Sequence, residues 1–474
     1  MFWKAARVAV VLSVCALITS AVANEPLGST GRPITPPVSQ PAVGSPQPGQ
    51  TPSRGSSASP SPASTHGPRP TSTPGVVSTS TPTGVASPPP RVAPLPLPIT
   101  NVADYGAVGN GHSDSTAAVA RATSIAESRG GTLYFPAGHY ILHGSGIGSA
   151  IEIREGHPLT IAGPASALVT LTNTNVSGGL LSIRVDHTVV EDLTLDAQSS
   201  NTRQALGAVA NDVTVENCRI LGGRQFFAIY YAGPVGASPS APAYNTGNRL
   251  LNDAVSDLVS NDGISWSFQE NSLIENLQHT GSRLALYVDR YVTVQNETYR
   301  PGPQGGGTAG FWISSPSDHI TINNFTSYGM GGIISNNGSD VSTNITIANE
   351  RLMVPGNTLR VDAVNGLTIR GCNFGSDGTL MFTGSMAATS VVVEDCAALP
   401  MVRFQGSAMV KAVFIANAYS GVPVGTALHR QTFYNYNSAH PSFTVSGGVW
   451  MNRPGGFFGG APATYTVSNL AGYP

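Results

Sequence analysis

Three acids and one arginine of this chain are the residues best suited to catalysis. Asp262 lies in the phrase Asn261-Asp262-Gly263, and Asp257 and Asp289 lie on neighbouring segments. Two carboxylates about 5–5.5 Å or about 6.5–9.5 Å apart can hydrolyse a glycosidic bond, and the partner of Asp262 would be Asp257, Asp253 or Asp289. A lyase or epimerase would instead need a base at C5 of a sugar acid and a cation beside its carboxylate. That base would have to be Arg, His or Tyr, and the candidate cluster is Arg283 beside Tyr287, with Arg224 and Arg249 nearby. Asn-Asp-Gly is also a common turn sequence, so the alternative is that Asp262 only forms a turn.

Aromatic and basic residues near these acids are candidates for holding a sugar chain. Aromatic faces suit the apolar faces of sugar rings, and arginines suit their acidic groups. An insertion at residues 232–247, rich in Pro, Gly and Ala, is expected to project beside the same strands. The substrate-binding candidates are Tyr230, Tyr287, Trp312, Arg224, Arg249 and Tyr244. The alternative is that these rings are ordinary aromatics covered by loops.

A repeated phrase determines which elements carry these residues. It consists of an apolar residue, any residue, and then usually Asn or Asp, and its spacing is mostly in the low twenties. The third positions are Asp192, Asn217, Asn252, Asn276, Asn296, Asn324, Asn349, Gly371, Asp395 and Asn417. This period, with β-branched strands between turn formers, is typical of one coil of a parallel β-helix. The Asn position suits a left-handed bend, and stacked Asn amides can bond to each other.

The strands that follow each bend show which side chains face outward. Strict alternation places Ile229, Ile264, Leu284 and Ile313 inside the coil. Tyr230, Tyr287 and Trp312 then point outward on neighbouring coils, with Asp262 and Arg283 at or near the strand starts. The sequence therefore predicts one outer face that brings the catalytic and binding candidates together.

Three cysteines occupy the position after the bend residue. Cys372 and Cys396 are one coil apart, so we expect them to stack. An exported protein would permit a disulfide between them, but three cysteines leave one unpaired, and buried free thiols pack well. We expect free thiols.

The start of the folded region resembles the opening of the pectate-lyase-like superfamily, which includes rhamnogalacturonase, epimerase and phage tailspike relatives. The matching phrases are Asp104-Tyr-Gly-Ala107 and Gly130-Gly-Thr-Leu-Tyr-Phe-Pro-Ala-Gly138. The resemblance implies a right-handed parallel β-helix with an N-terminal helix. The residues agree, because Ser113 or Asp114 can cap a helix to Ser128. Its apolar face, Ala118, Ala122, Ile125 and Ala126, would cover the first coil.

The order of motifs also resembles polygalacturonase-type glycoside hydrolases, but only at Asp262. That family places paired acids, a His phrase and an Arg-Ile-Lys phrase on the following coils. Here Ser282-Arg283, Ala309 and Gly332-Ile-Ile334 stand in those places. The Asp-Pro-His signature of mannuronan epimerases is also absent. The resemblance therefore implies the fold and not the reaction.

The first 98 residues are not expected to belong to the fold. Residues 1–23 read as a secretory signal, with Lys4 and Arg7 before an apolar stretch and Ala21-Val-Ala23 as the cleavage site. Residues 24–98 contain 20 of the 36 prolines and no Phe, Trp or Tyr, so they read as a disordered linker. Residues 99–474 are long enough for one β-helix domain.

Composition restricts the partners. Charged residues make up 11% of the chain and the net charge is −2, which favours neither a nucleic-acid nor a membrane surface after signal cleavage. We expect an all-β, right-handed parallel β-helix of about ten coils that is secreted and acts on a polysaccharide as a hydrolase or lyase. The alternative is a non-catalytic glycan-binding or cell-surface protein, held at the cell wall by its linker. No cofactor is expected, although a single Ca²⁺ between Asp262 and substrate is an alternative.

Overall fold

A computed structural model describes residues 94–473, with gaps at 145–147, 175–177, 198–203, 223–226, 258–261, 303–308, 337–339, 355–357, 407–408, 420–430, 437–440 and 452–455. The proposed signal at 1–23, nearly all of the proposed linker, and Arg224 lie outside the described residues. The Asn261 of Asn-Asp-Gly lies outside them as well.

Three long parallel sheets form the domain, as expected for a parallel β-helix, and the second of them ends at the strand Arg351–Leu352. In each full coil the chain passes through the first sheet, then the second, then the third. Parallel strands at about 4.8 Å bury their inward side chains in one continuous core. Strand pairing is parallel from the strand Ile99–Asn101 to the strand Thr464–Ser468.

The first sheet has 16 strands. They are Ile99–Asn101, Gly131–Tyr134, Leu159–Ala162, Val189–Glu191, Thr214–Glu216, Asn245–Thr246, Arg249–Leu251, Gln269–Glu275, Arg290–Gln295, Asp318–Asn323, Ser342–Ala348, Val364–Arg370, Ala388–Glu394, Val410–Ile415, Ser442–Ser446 and Thr464–Ser468. Asn245–Thr246 lies off the main path and pairs with Gln269–Glu275.

The second sheet has 10 strands and the third has 13. Those of the second are Asn110–Asp114, Gly138–Leu142, Val169–Asn173, Thr194–Asp196, Arg219–Leu221, Ala254–Ser256, Gln278–Gly281, Thr298–Pro301, Thr326–Ser327 and Arg351–Leu352. Those of the third are Ile151–Ile153, Leu181–Ile183, Leu206–Ala208, Ile229–Tyr231, Asp262–Ser267, Arg283–Tyr287, Ala309–Ser314, Met330–Ser335, Thr358–Val361, Thr379–Phe382, Met401–Phe404, Phe433–Asn435 and Phe458–Gly460. A separate two-stranded parallel sheet is formed by Ala418–Tyr419 and Val449–Trp450.

The repeated bend residues adopt the left-handed conformation at nine of the ten predicted positions. Their amides form a ladder: Asn276 donates to Asn252 (2.8 Å), Asn296 to Asn276 (3.0 Å) and Asn324 to Asn296 (3.0 Å). The tenth position was wrong by one residue. Ala416 takes the left-handed conformation, and the Asn417 side chain is buried, where it donates to the Val393 carbonyl (2.9 Å).

More coils are present than the ten that the bend residues mark. Fifteen strands follow one another along the main path of the first sheet. The repeat missed two coils at the C-terminal end, whose left-handed bends are at Gly447 and Asn469. Cys218, Cys372 and Cys396 are buried and free, as expected. The Ala397 amide donates to the Cys372 carbonyl (2.9 Å), so Cys396 follows Cys372 one coil on.

The N-terminal helix spans Thr116–Arg129 rather than beginning at Ser113. It starts later because Asn110–Asp114 forms a strand that pairs with Gly138–Leu142. Asp114 still accepts a hydrogen bond from the Thr116 amide (2.9 Å). The buried face is Ala118, Val119, Ala122, Thr123 and Ala126, whereas Ile125 is only half-buried. A short 3₁₀ helix, Val102–Tyr105, precedes these elements.

Candidate functional site

The outer face of the third sheet carries the predicted aromatic residues. Ile229, Ile264, Leu284 and Ile313 are fully buried, so alternation turns Tyr230, Tyr287 and Trp312 outward, where each is half-buried. Strand register places Tyr230 beside Ser265, Ser265 beside Ala285, and Ala285 beside Trp312. Tyr287 lies in the next outward row, between Ser267 and Ser314. The predicted orientation of these three rings is confirmed.

Asp262 and Arg283 are brought together at the start of two adjacent strands of this sheet. Asp262 is the Cα partner of Arg283, and the register then shifts so that Ile264 faces Leu284. Gly263 is the extra residue of this β-bulge, and bulges of this kind re-aim a neighbouring side chain. Arg283 Nε donates to Asp262 Oδ1 at 2.6 Å, with 19% and 9% of the two side chains exposed. Asp262 therefore begins a strand and makes a largely desolvated ion pair.

The Arg283 guanidinium is also held on its other side. Its carbon lies 4.1 Å from the centroid of the Trp312 ring, and a cation in this position is attracted by the ring electrons. The Trp312 indole N–H in turn donates to the Ser335 hydroxyl. Asp262, Arg283, Trp312 and Ser335 thus form a chain of contacts over four successive coils. A guanidinium fixed between a carboxylate and a ring loses little further entropy when it binds a ligand.

Tyr230 and Tyr287 flank this chain of contacts, and a neighbouring phenylalanine supports the ring of each. The Tyr230 ring stacks on Phe227 with centroids 5.1 Å apart. The Tyr287 ring meets Phe268 edge-on at 5.8 Å. Rings that are supported on one side and partly exposed on the other offer pre-ordered apolar surface to a sugar.

Asp257 and Asp289 do not join Asp262 on the outer face, and the expected pairing with either acid was wrong. Asp257 is 1% exposed and Asp289 is fully buried, so both point into the coil. Asp257 accepts a hydrogen bond from His279 Nε2 at 3.1 Å. Asp289 accepts one from the Gln269 amide at 2.7 Å, and burial raises its pKa well above the ordinary range. An enclosed Asp289 cannot serve an external substrate.

Arg249 and Tyr244 also lie elsewhere. Arg249 is an exposed residue of the first sheet, paired with Thr214 and Leu273. The Tyr244 ring lies 4.2 Å under the guanidinium of Arg290, which forms an ion pair with Glu270 at 2.8 Å. The insertion returns to the first sheet through Asn245–Thr246, so it borders the ends of the third-sheet strands rather than the starts where Asp262 lies.

The sequence restricts which acids can reach this face. In five successive coils, the chain passes from the second sheet through the third at residues 219–231, 254–268, 278–287, 298–314 and 326–335. These five segments contain two acidic residues, Asp257 and Asp262. Asp257 is enclosed. Among the described residues of this stretch, Asp262 is therefore the one carboxylate on the outer face, and no second one is placed for hydrolysis by a carboxylate pair.

Sequence reasoning missed a buried polar cluster directly beneath the pair. It consists of Asp257, His279 and Glu297, all with fully enclosed side chains. His279 is the register partner of Val255 and Tyr299. Its inward position could have been found from the same alternation that placed the isoleucines, because a His between two buried residues needs polar partners.

Neither a metal-binding cluster nor a membrane-spanning helix is present among the described residues. They contain no group of three or more His, Cys, Asp or Glu side chains arranged to hold a metal ion. Within the same part of the chain, no helix has the length and apolar character to cross a membrane. A Ca²⁺ between Asp262 and a substrate stays a prediction.

Comparisons with known proteins agree with this fold. A family model described as rhamnogalacturonase A/epimerase, pectate lyase-like, matches residues 99–378. The mannuronan C5-epimerase AlgE2 of Azotobacter vinelandii is 28% identical over 247 residues, which are 46% of this chain and 23% of that protein. AlgE4 of the same organism is 27% identical over 198 residues, 37% of this chain and 33% of the relative. The chain thus spans a third or less of the length of these two curated relatives.

One solved structure supports the fold alone. The catalytic unit of the thermostable GH87 alpha-1,3-glucanase from Streptomyces thermodiastaticus strain HF3-3 superposes with a TM-score of 0.52 at 16% identity. The superposition covers 80% of this chain and 70% of that chain.

Proposed function

Because the chain belongs to the rhamnogalacturonase A/epimerase, pectate lyase-like family, we propose that it is a secreted enzyme that acts on a polysaccharide lying along the outer face of the third sheet. The matched relatives are named as mannuronan C5-epimerases, which supports action on a polymer of sugar acids. Coils spaced by about 4.8 Å suit a polymer, because each coil can meet a further sugar unit.

The observation that carries the proposal is the Asp262–Arg283 pair, held against Trp312 on this face. Arginine has five N–H donors, and Asp262 takes the one on Nε. The remaining donors of Arg283 would bind the carboxylate of a sugar acid and stabilise the charge that develops beside it. Asp262 would accept or return the proton, while Trp312, Tyr230 and Tyr287 hold the sugar rings.

One carboxylate beside one cation favours proton transfer at C5 over hydrolysis by a carboxylate pair. Removal of the C5 proton by Asp262 leads to β-elimination when the C4–O bond breaks and the departing oxygen takes a proton from water. It leads to epimerisation when water delivers a proton to C5 from the opposite face. Hydrolysis through two acids would need a second exposed carboxylate within about 10 Å, and the segments named above provide only Asp262.

The proposal is tested with the purified protein and a panel of neutral and acidic polysaccharides. Reducing ends report hydrolysis, absorbance of unsaturated products reports β-elimination, and proton NMR of the polymer reports epimerisation. Asp262→Asn should lower turnover by about 10²–10⁴-fold on the active polymer. The matched control is Asp318→Asn, since Asp318 is also paired with a neighbouring side chain, His319 (2.7 Å), but on the first sheet. Near wild-type turnover of Asp262→Asn contradicts the assigned role.

A non-catalytic glycan-binding protein is the alternative that the same panel detects. It predicts retention on one polysaccharide without any product in the three assays. Secretion is tested separately by expressing the full chain with its first 23 residues and sequencing the exported protein. A mature start at Asn24 supports the signal, and attachment of the exported protein to cell walls through residues 24–98 supports a wall-bound partner.

A further inference from the structure

The buried cluster of Asp257, His279 and Glu297 lies immediately behind the candidate site. Asp257 and His279 have no exposed side-chain surface, and His279 Nε2 lies 3.1 Å from Asp257 Oδ2. On the other side, His279 Nδ1 lies 3.6 Å from Glu297 Oε1, a charge contact longer than a hydrogen bond. Burying three ionisable groups is costly unless they pair. A cluster retained at this point of the coil therefore needs an explanation beyond packing.

Asp257 contacts the backbone next to both members of the Asp262–Arg283 pair. Its Oδ1 accepts from the Ser282 amide (3.0 Å) and the Ser282 hydroxyl (3.0 Å), and Ser282 directly precedes Arg283. Its Oδ2 lies against Gly263, which directly follows Asp262: a Cβ added at Gly263 would be 1.9 Å from that oxygen. The same carboxylate therefore touches the strand starts that carry Asp262 and Arg283.

Gly263 also determines how Asp262 and Arg283 are placed relative to each other. It is the extra residue of the bulge that lets Asp262 face Arg283 across the two strands. The close approach of Asp257 requires glycine there, and Gly281 meets the same oxygen in a similar way, with a Cβ distance of 2.2 Å. The bulge, the carboxylate and Ser282 form one packed unit.

We propose that Asp257, anchored by His279, is a positioning residue that sets the distance between Asp262 and Arg283 by holding the Gly263 bulge and Ser282. The proposal deepens the proposed function and rests on it for its effect on turnover. Asp257 touches no substrate, because it is enclosed. Its influence passes through Arg283, and so reaches Trp312, on which the guanidinium stacks.

The test uses the full chain labelled with 5-fluorotryptophan, whose fluorine NMR signals number at most one for each of the four tryptophans. Trp312→Phe assigns the signal of Trp312, and Arg283→Met shows its position without the guanidinium. In Asp257→Asn we expect the Trp312 signal to move towards that reference, while the Trp266 signal stays in place. On an active polymer, kcat/KM should fall by about 10- to 100-fold, as for a slightly misplaced catalytic group.

Asp253→Asn is the matched control. Asp253 is an equally buried acid of the same coil, but it accepts from the Cys218 amide (2.6 Å) and lies away from the pair. It should leave the Trp312 signal unchanged. If Asp257→Asn does not fold, Ser282→Ala removes the hydroxyl that donates to Asp257, leaves every charge in place, and should move the signal in the same direction by less.

The two proposals fail in different ways. A Trp312 signal that is unchanged in folded Asp257→Asn or Ser282→Ala overturns the positioning role, whether or not the protein is an enzyme. Absence of any product from the polysaccharide panel overturns the enzymatic proposal, and the fluorine signal still decides the positioning role.

Discussion

Replacing Asp262 and Arg283 by alanine, singly and together, measures the free energy that couples the two side chains. The pair is 2.6 Å apart, with 9% and 19% of the side chains exposed. A charge-assisted hydrogen bond in such a setting contributes about 1.5–3 kcal/mol, whereas fully exposed ion pairs contribute about 0–1 kcal/mol. We therefore expect a coupling energy of about 2 kcal/mol in the free energy of unfolding. The stacking of Arg283 on Trp312 is lost in both variants that lack Arg283, so it cancels in the cycle.

The assay is urea unfolding of the wild type, the two single variants and the double variant, followed by circular dichroism. Because the pair is mostly desolvated, more than half of the coupling should persist in about 1 M salt, where the screening length is about 3 Å. Coupling below about 0.5 kcal/mol would refute the reasoning. It would mean that Asp262 and Arg283 behave as a solvated surface pair and that the bulge at Gly263 does not fix them.

Three further predictions concern the ladder, the buried histidine and the aromatic face. Asn276→Ala should destabilise the fold by about 1 kcal/mol more than Asn276→Gly, because alanine is strained at the observed φ of 56° and both variants lose the same ladder bonds; equal urea midpoints would contradict this. Burial opposes the charge on His279, but its contacts with Asp257 and Glu297 outweigh that effect and raise its pKa to about 9. Charged His279 therefore adds up to about 3 kcal/mol to the free energy of unfolding below about pH 6.5, and this contribution is lost as the pH rises through 9. His279→Gln should flatten the dependence of the free energy of unfolding on pH over this range. Trp312→Ala should weaken binding of the active polymer up to about tenfold in Kd, since a supported ring contributes about 0.5–1.5 kcal/mol; calorimetry showing unchanged affinity would place the sugar chain elsewhere.

The repeat could be predicted from the sequence because its cause is local. A left-handed bend restricts the residue to Asn, Asp or Gly wherever it recurs, so a bend in every coil leaves a visible period. Ala416 shows the limit of this rule: it takes the bend where Asn417 was expected, since the Asn417 side chain bonds inside the core instead. Alternation within strands is equally local, and it correctly turned Tyr230 and Trp312 outward.

The composition of the site depended on contacts between coils, which no local pattern records. Asp257, Asp262 and Asp289 are all short acids near strand ends, and the sequence alone treats them alike. Only the packing of successive coils decides that Asp257 meets His279, that Asp289 is enclosed, and that the bulge at Gly263 aims Asp262 at Arg283. A one-residue change of register reverses the face to which a side chain points, so the inward or outward direction of an acid at a strand end is decided by tertiary structure.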